Sequence, residues 1–338
     1  GASFYDTSEY MIGSVSVGII FPESTGQIDP NQENWQISQI SSVNSEITAG
    51  LNWWATKSQA AHLSFTYHTM VVPTSYEPIN RASWSEEGLW ISDVMQNQGY
   101  SDSDYFEQVY SYLNYLRNID ETDWAVAIFV VNSNVDADGK FPDGYFGYAY
   151  FGGPFIVMTY DNDGYGIASM DAVVAHEFGH IFYAADEYYT PGYNNPGLPT
   201  DKYGYLAVEN QNLQGSGSSN VGCIMRGGTL PYQLGQICFY TQGHIGWRDS
   251  NDNGIFDIID FPNTNTLFTS LSEINNNQTP NFFGTISCTA CYPNSNPRGW
   301  HHDITINKIT TIKYRIYPYL SPFPIYSDNV AITEGQLD

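Results

Sequence analysis

The sequence predicts a mixed α/β (α+β) domain followed by a β-rich C-terminal extension. Three observations predict it. Strand and helix patterns alternate along the first ~185 residues, as in layered α/β units. The run Trp124 to Val131 is apolar throughout, the mark of a strand buried on both faces. Beyond about residue 260 only short alternating stretches occur, at Phe283 to Ser287, Asp303 to Ile306 and Thr311 to Ile316, as β-structure requires.

In chain order, Gly13 to Phe21 (GSVSVGIIF) reads as a strand closed by Pro22. Trp35, Ile40, Val43, Ile47, Leu51 and Trp54 then recur at three- and four-residue spacing, which predicts a helix. His62 to Val72 alternates in character and ends at Pro73, a further strand. Helical patterns occupy about 83–98 and 104–118, the second carrying Phe106, Val109, Tyr110, Leu113 and Leu116. The Gly/Tyr/Phe-rich segment Tyr145 to Tyr160 reads as a strand or extended edge, and a helix is predicted over about 169–184. After Tyr188 the composition turns to Gly, Pro, Asn and Ser, with little periodicity until about Asp260. The predicted division is therefore 1–260 and 261–338, without internal repeats.

Composition narrows the function classes. The chain has 338 residues, with 36 acidic against 11 basic side chains and a net charge of −25. Phosphate backbones need a clustered cationic surface, so nucleic acid is excluded as a partner. Aromatic residues make up 16% and supply a large core, which excludes wholesale disorder. No apolar run approaches the ~18 residues of a membrane helix. Few lysines, four cysteines and an Asn/Ser/Thr/Tyr-rich exterior fit a secreted, extracellular or cell-surface location. The chain opens on Gly1 without a basic-then-apolar leader, as expected either where a signal has been removed or where the sequence has been trimmed.

The chemistry centres on Ala175-His176-Glu177-Phe178-Gly179-His180. Histidines at i and i+4 share one helix face and can hold one metal ion. Glu177 lies one step round, where it can reach a water activated by the metal. Zinc brings the pKa of such a water towards about 7, and the glutamate can take its proton and pass it to a leaving amine. A catalytic zinc ion usually has three protein ligands. Asp186 follows His180 by six residues, a spacing that lets the chain fold a ligand back. Asp186 is the favoured third ligand and Glu187 the alternative.

The segment HEFGHIFYAADEY resembles the extended zinc-binding motif of metzincin-clan metallopeptidases in its aspartate-ending form. It is most similar to the secreted immune-inhibitor-A-type peptidases. Gly222-Cys223-Ile224-Met225-Arg226-Gly227 resembles that clan's Met-turn. The resemblance implies a metzincin-like fold, with His176, His180 and Asp186 as zinc ligands, Glu177 as general base and Met225 as an apolar floor beneath the metal. Two positions depart from the clan. Tyr183 stands where glycine usually turns the chain out of the helix. Gly227 stands where some members place a tyrosine that hydrogen-bonds the oxyanion.

A second constellation runs from Asp249 to Asp260. Asp249, Asn251, Asn253, the Ile255 carbonyl, Asp257 and Asp260, with Gly254 at the turn, match a twelve-residue calcium loop. Calcium there would fix the junction between the catalytic part and the extension. The shorter acidic clusters at 134–139 and 161–164 read as turns. Cys223 with Cys238, and Cys288 with Cys291, are the disulfide candidates. His244, His301 and His302 belong to no motif.

The expected activity is zinc-dependent endopeptidase cleavage of a protein or peptide substrate, with Zn2+ and Ca2+ as cofactors. The alternative is a catalytically silent or latent protein of a cell-surface assembly that retains a metallopeptidase fold. A calcium-dependent carbohydrate-binding module would explain the aromatics but not the HEFGH helix.

Overall fold

The computed structural model describes residues 4–260 and, beyond them, the backbone of four strands. The elements run β1 (Ser14–Ser24), α1 (Ile37–Lys57), β2 (Ser64–Thr74), α2 (Glu87–Asn97), α3 (Tyr105–Asp120), β3 (Trp124–Val131), β4 (Gly147–Ala149), β5 (Phe155–Thr159) and α4 (Met170–Ile181). Smaller elements follow: β6 (Lys202–Tyr203), β7 (Val208–Glu209), α5 (Leu230–Gln233), α6 (Phe239–His244) and α7 (Asp257–Asp260). Then come β8 (Asn263–Thr269), β9 (Phe283–Thr289), β10 (Thr311–Ile316) and β11 (Tyr326–Ala331).

Strands β1 to β5 form one sheet in the order β2-β1-β3-β5-β4. All pairings are parallel except that of β4, which runs antiparallel to β5 at the edge. The central strand β3 is buried along its whole length. Its odd and even residues feed two separate cores. Trp124, Val126, Ile128 and Val130 face α1 and α4, and Ala125, Ala127, Phe129 and Val131 face α2 and α3. A sheet covered on both faces needs such a continuous apolar run.

Two strands run past the prolines expected to end them. β1 continues through Pro22 to Ser24, and β2 through Pro73 to Thr74. Among the described residues, β1 pairs with β3 over Val15–Ile20 and β2 pairs with β1 alone. Neither proline therefore removes a donor the ladder uses, and proline is tolerated at such one-sided positions.

Helix α3 starts where Asp104 caps it, its carboxylate accepting the Glu107 N–H at 3.0 Å. Helices α1 and α4 cross closely at Gly50. A Cβ there would lie 2.4 Å from the Asp171 carbonyl oxygen and from Val174. The Trp54 indole N–H also donates to the Ala175 carbonyl, 2.9 Å away, one residue before His176. α1 is thus the brace that fixes α4 against the sheet.

Beyond residue 260, β8 pairs antiparallel with β9 and β10 with β11. The predicted strand Asp303 to Ile306, Cys291 and the side chains of Asp260 and Cys288 lie outside the described residues. Among the described residues no helix is long and apolar enough to cross a membrane.

Because backbone stands opposite Gly50, the α1–α4 contact cannot yield cheaply to a larger residue. Gly50→Ala is expected to destabilise the protein by about 1–3 kcal/mol, the usual range for overpacking. Urea unfolding would show it as a lowered midpoint with an unchanged slope. An unchanged midpoint would mean that the crossing is loose.

Candidate metal centre

Helix α4 presents His176 and His180 one turn apart, their rings 4.9 Å apart and nearly perpendicular. Each ring is oriented by its Nδ1. His176 Nδ1 lies 2.8 Å from the Ile224 carbonyl oxygen and His180 Nδ1 2.7 Å from that of Ala184. A carbonyl can only accept, so Nδ1 carries a proton, and in the neutral ring Nε2 keeps its lone pair. Both Nε2 atoms face one atom, Asp186 Oδ1, at 3.1 and 3.4 Å. That oxygen is buried and, with both rings neutral, has no donor among the described residues, while Oδ2 is held by Asn194 Nδ2 at 3.0 Å. Asn210 anchors the Asp186 carbonyl oxygen at 2.8 Å.

With both rings neutral, three electron pairs converge with no donor among them, which is the arrangement a divalent cation satisfies. The donor set of two imidazoles and one carboxylate suits zinc and leaves room for a fourth ligand. In the protein alone, the groups can accommodate each other only by sharing a proton. Burial pulls His180 down, but Asp186, aided by Glu177 and the Ala184 carbonyl, outweighs it and raises the ring to about 9. Burial opposes ionisation of Asp186 too, yet the histidines hold its carboxyl far below the usual range.

Glu177 lines the same cavity, and burial pushes its carboxyl up against the opposing pull of His176 and His180. A raised carboxyl is the condition for a group that must take a proton and return it. Met225 is fully buried beneath α4, and a Cβ on Gly179 would meet its sulfur at 2.6 Å. The sulfur therefore lies against the helix backbone between the two histidines. The 222–227 turn also supplies the Ile224 carbonyl to His176, and the Met225 carbonyl accepts the Glu187 N–H at 2.9 Å.

The turn out of α4 is made without glycine. Tyr183 adopts φ +66°, the left-handed region. Its N–H donates to the His180 carbonyl and that of Ala184 to the Gly179 carbonyl, both at 3.0 Å. These are the two bonds of a Schellman cap, with tyrosine in the position glycine favours. The same turn brings the Ala184 carbonyl back onto His180. Gly152 accommodates the ring, since a Cβ there would lie 2.1 Å from Tyr183 Cζ. Its N–H also donates to the His180 carbonyl at 2.9 Å. Packing on Gly152 and Phe151 offsets the backbone cost.

Several sequence expectations change here. Glu187 is drawn into a second cluster, where Cys238 Sγ, Thr241 Oγ1 and Asn212 Nδ2 all donate to its carboxylate. Burial, then Cys238, raises Glu187 to about 8. Cys223 and Cys238, expected to be bridged, are neighbouring free thiols. Cys238 directs its thiol to Glu187 at 2.7 Å, and its N–H goes to Cys223 Sγ at 3.3 Å. These bonds hold the sulfurs as separate groups.

In the predicted calcium loop, Asp249, Asn251 and Asn253 accept the loop's own N–H groups at Asn253, Gly254 and Ile255. Asp257 is turned to Arg248 Nε and to Ser250, each about 2.8 Å away. Among the described residues, His, Cys, Asp and Glu ligand atoms come together in groups of three in the His176, His180, Asp186 set and in the Glu187, Cys223, Cys238 set.

The histidines open onto a cavity of about 780 Å³. Its walls include edge strand β4, an aromatic side formed by Trp84, Tyr145 and Tyr148, and the segment 226–229. Tyr188 also lines it, its ring 6.0 Å from that of His176. Burial, then Asp186 and Glu177, keep this phenol protonated. Tyr188, Asn194 and Asn210 were not singled out from the sequence, because nothing in their spacing marks them. His244 proves to be a core residue: its Nδ1 accepts the Ala185 N–H and its Nε2 faces the Glu209 carbonyl.

No family model matches the chain, and no curated protein matches it. Among solved structures, it is similar to metalloproteinase-II from Bacteroides fragilis, with 15% identity and a TM-score of 0.28. That match covers 53% of this chain and 48% of the other, so the chain spans about half of that protein's length.

Two predictions follow from this packing. Gly152→Ala forces the Tyr183 ring off its seat and is expected to weaken metal retention against a chelator by at least tenfold. Equal retention would dissociate the turn from the site. His244 is held at about 4 by burial, below its ordinary 6.5. The unfolded chain therefore binds the extra proton, and His244 contributes stability above pH 6.5 that is lost as pH falls to 4. That share amounts to about 3 kcal/mol. Urea titrations at several pH values should show a shallower acid slope in His244→Gln, and parallel slopes would contradict the assignment.

Proposed function

We propose that this chain is a secreted zinc-dependent endopeptidase of metzincin type. One observation carries the reading: His176 Nε2, His180 Nε2 and Asp186 Oδ1 converge without a donor on the wall of an open cavity, with Glu177 beside them. Zinc held there would acidify a water and polarise the scissile carbonyl. Glu177 accepts the proton of the attacking water and returns it to the leaving amine. Its buried setting, which raises its carboxyl, suits both halves of that transfer. Ile224 and Ala184 hold the two imidazoles in the tautomer that ligates. Edge strand β4 leaves one side of its backbone unpaired along the cavity, so an extended peptide can add to the sheet there.

Glu177→Gln should keep its metal and lose at least about 10² in kcat on casein, the usual worth of a general base. His180→Ala should lose the metal itself, read by elemental analysis. Cleavage by Glu177→Gln at the wild-type rate would overturn the role of Glu177. A metal-loaded wild type that cuts no unfolded protein would instead favour a silent surface protein.

A further inference from the structure

Behind the histidine site, a second set of ligand atoms converges. Cys223 Sγ, Cys238 Sγ and a Glu187 carboxylate oxygen lie within 4.8 Å of one another, and all three residues are buried. The Thr241 hydroxyl touches all of them, at 3.0 Å from Glu187 Oε1, 3.2 Å from Cys223 Sγ and 3.6 Å from Cys238 Sγ. Zinc–oxygen and zinc–sulfur bonds of about 2.0–2.3 Å put the corners of a tetrahedron roughly 3.3–3.8 Å apart. The Thr241 spacings approach that edge. The Cys238–Glu187 spacing, 2.7 Å, is the short one.

Two further features suit thiolates. Cys238 N–H points at Cys223 Sγ and Thr241 N–H at Cys238 Sγ, each at 3.3 Å. A donor aimed at sulfur favours its charged form, which is the form that ligates, and works against Cys223 and burial, which push the Cys238 thiol up in the protein alone. Two thiolates, one carboxylate and one divalent cation sum to −1. Arg226 Nε, 3.9 Å from Glu187 Oε2, supplies the compensating charge. The guanidinium is itself fixed by Asn212 and Asn220.

We propose that Glu187, Cys223, Cys238 and Thr241 form a second, closed site for a tetrahedral divalent cation of the zinc type. Both thiols, and the Glu187 carboxyl where it is protonated, release their protons to solvent as it binds, and the carboxylate and neutral hydroxyl complete the shell. Four protein ligands in a buried pocket leave no open position, so the site is structural. It joins the 222–227 turn to the strand of chain leaving α4. Cys223 precedes Ile224, which orients His176, and Glu187 follows Asp186. The second ion would thus hold the frame of the first. The assignment stands whether or not the cavity cleaves peptides.

Cobalt distinguishes the two sites, because the His176, His180, Asp186 set contains no sulfur. The test uses the full chain with Cys288→Ser and Cys291→Ser, so that Cys223 and Cys238 are its only thiols, exchanged into Co2+ under reducing, anaerobic conditions. Two equivalents of cobalt and an intense near-ultraviolet thiolate-to-cobalt charge-transfer band are expected. Adding His180→Ala should remove one equivalent and keep the band. Adding Cys238→Ser should remove the band and keep one equivalent. If that variant does not fold, the band and stoichiometry of the parent chain decide alone. No band, with both thiols free to react with a thiol-specific dye after denaturation, would overturn the proposal. A Cys223–Cys238 disulfide found in the unreduced digest of the native chain would overturn it equally.

Discussion

The convergence of three unshared electron pairs at one buried point constrains everything around it. His176 and His180 donate their Nδ1–H groups to carbonyls, and with neutral rings Asp186 Oδ1 has no donor among the described residues. Without a cation these groups must trap a proton among themselves, at the cost of distorting the titration of both histidines and the aspartate. With one, each group is in its ligating form already. The site is therefore organised by the rest of the fold in advance of any ion, and the work of that organisation is distributed over the chain.

Three separate pieces of backbone hold it. Helix α4 sets the imidazole spacing and is itself pinned by α1 at Gly50 and Trp54. The Schellman turn at Tyr183 redirects the chain so that Ala184 can orient His180 and Asp186 can face both rings. The 222–227 turn brings Ile224 to His176 and the Met225 sulfur under the helix. Each piece depends on local order that would be costly alone: a left-handed tyrosine, a bare glycine contact, a turn with Cys223, Ile224 and Met225 all buried. Such costs persist where surrounding packing over-determines them.

Much of the scaffold was legible from residue patterns. β3 declared itself by an unbroken apolar run, and α1 and α3 by their three- and four-residue spacing, because burial on a regular element imposes a period. Strand ends were less legible, since Pro22 and Pro73 break a strand only where both edges are paired. The pair of histidines and Glu177 could be read directly, because the i, i+4 geometry of one helix is sufficient to place them. Asp186 could be ranked above Glu187 only by spacing. What separates them in space is a set of distant partners, with Asn194 holding one and Cys238, Thr241 and Asn212 the other. The segment 185–257 carries its order in such contacts, and no periodicity reports them. For the same reason the cysteine spacing suggested a bridge, while the buried carboxylate between the thiols was invisible.

An anomalous difference map at the zinc absorption edge, from crystals of the zinc-loaded Glu177→Gln chain, tests the account most directly. A peak is expected about 2.0–2.2 Å from His176 Nε2, His180 Nε2 and an Asp186 carboxylate oxygen, the ordinary zinc bond lengths to nitrogen and oxygen. A zinc-loaded crystal with no peak between these residues, or with a peak from which Asp186 has turned away, would contradict it.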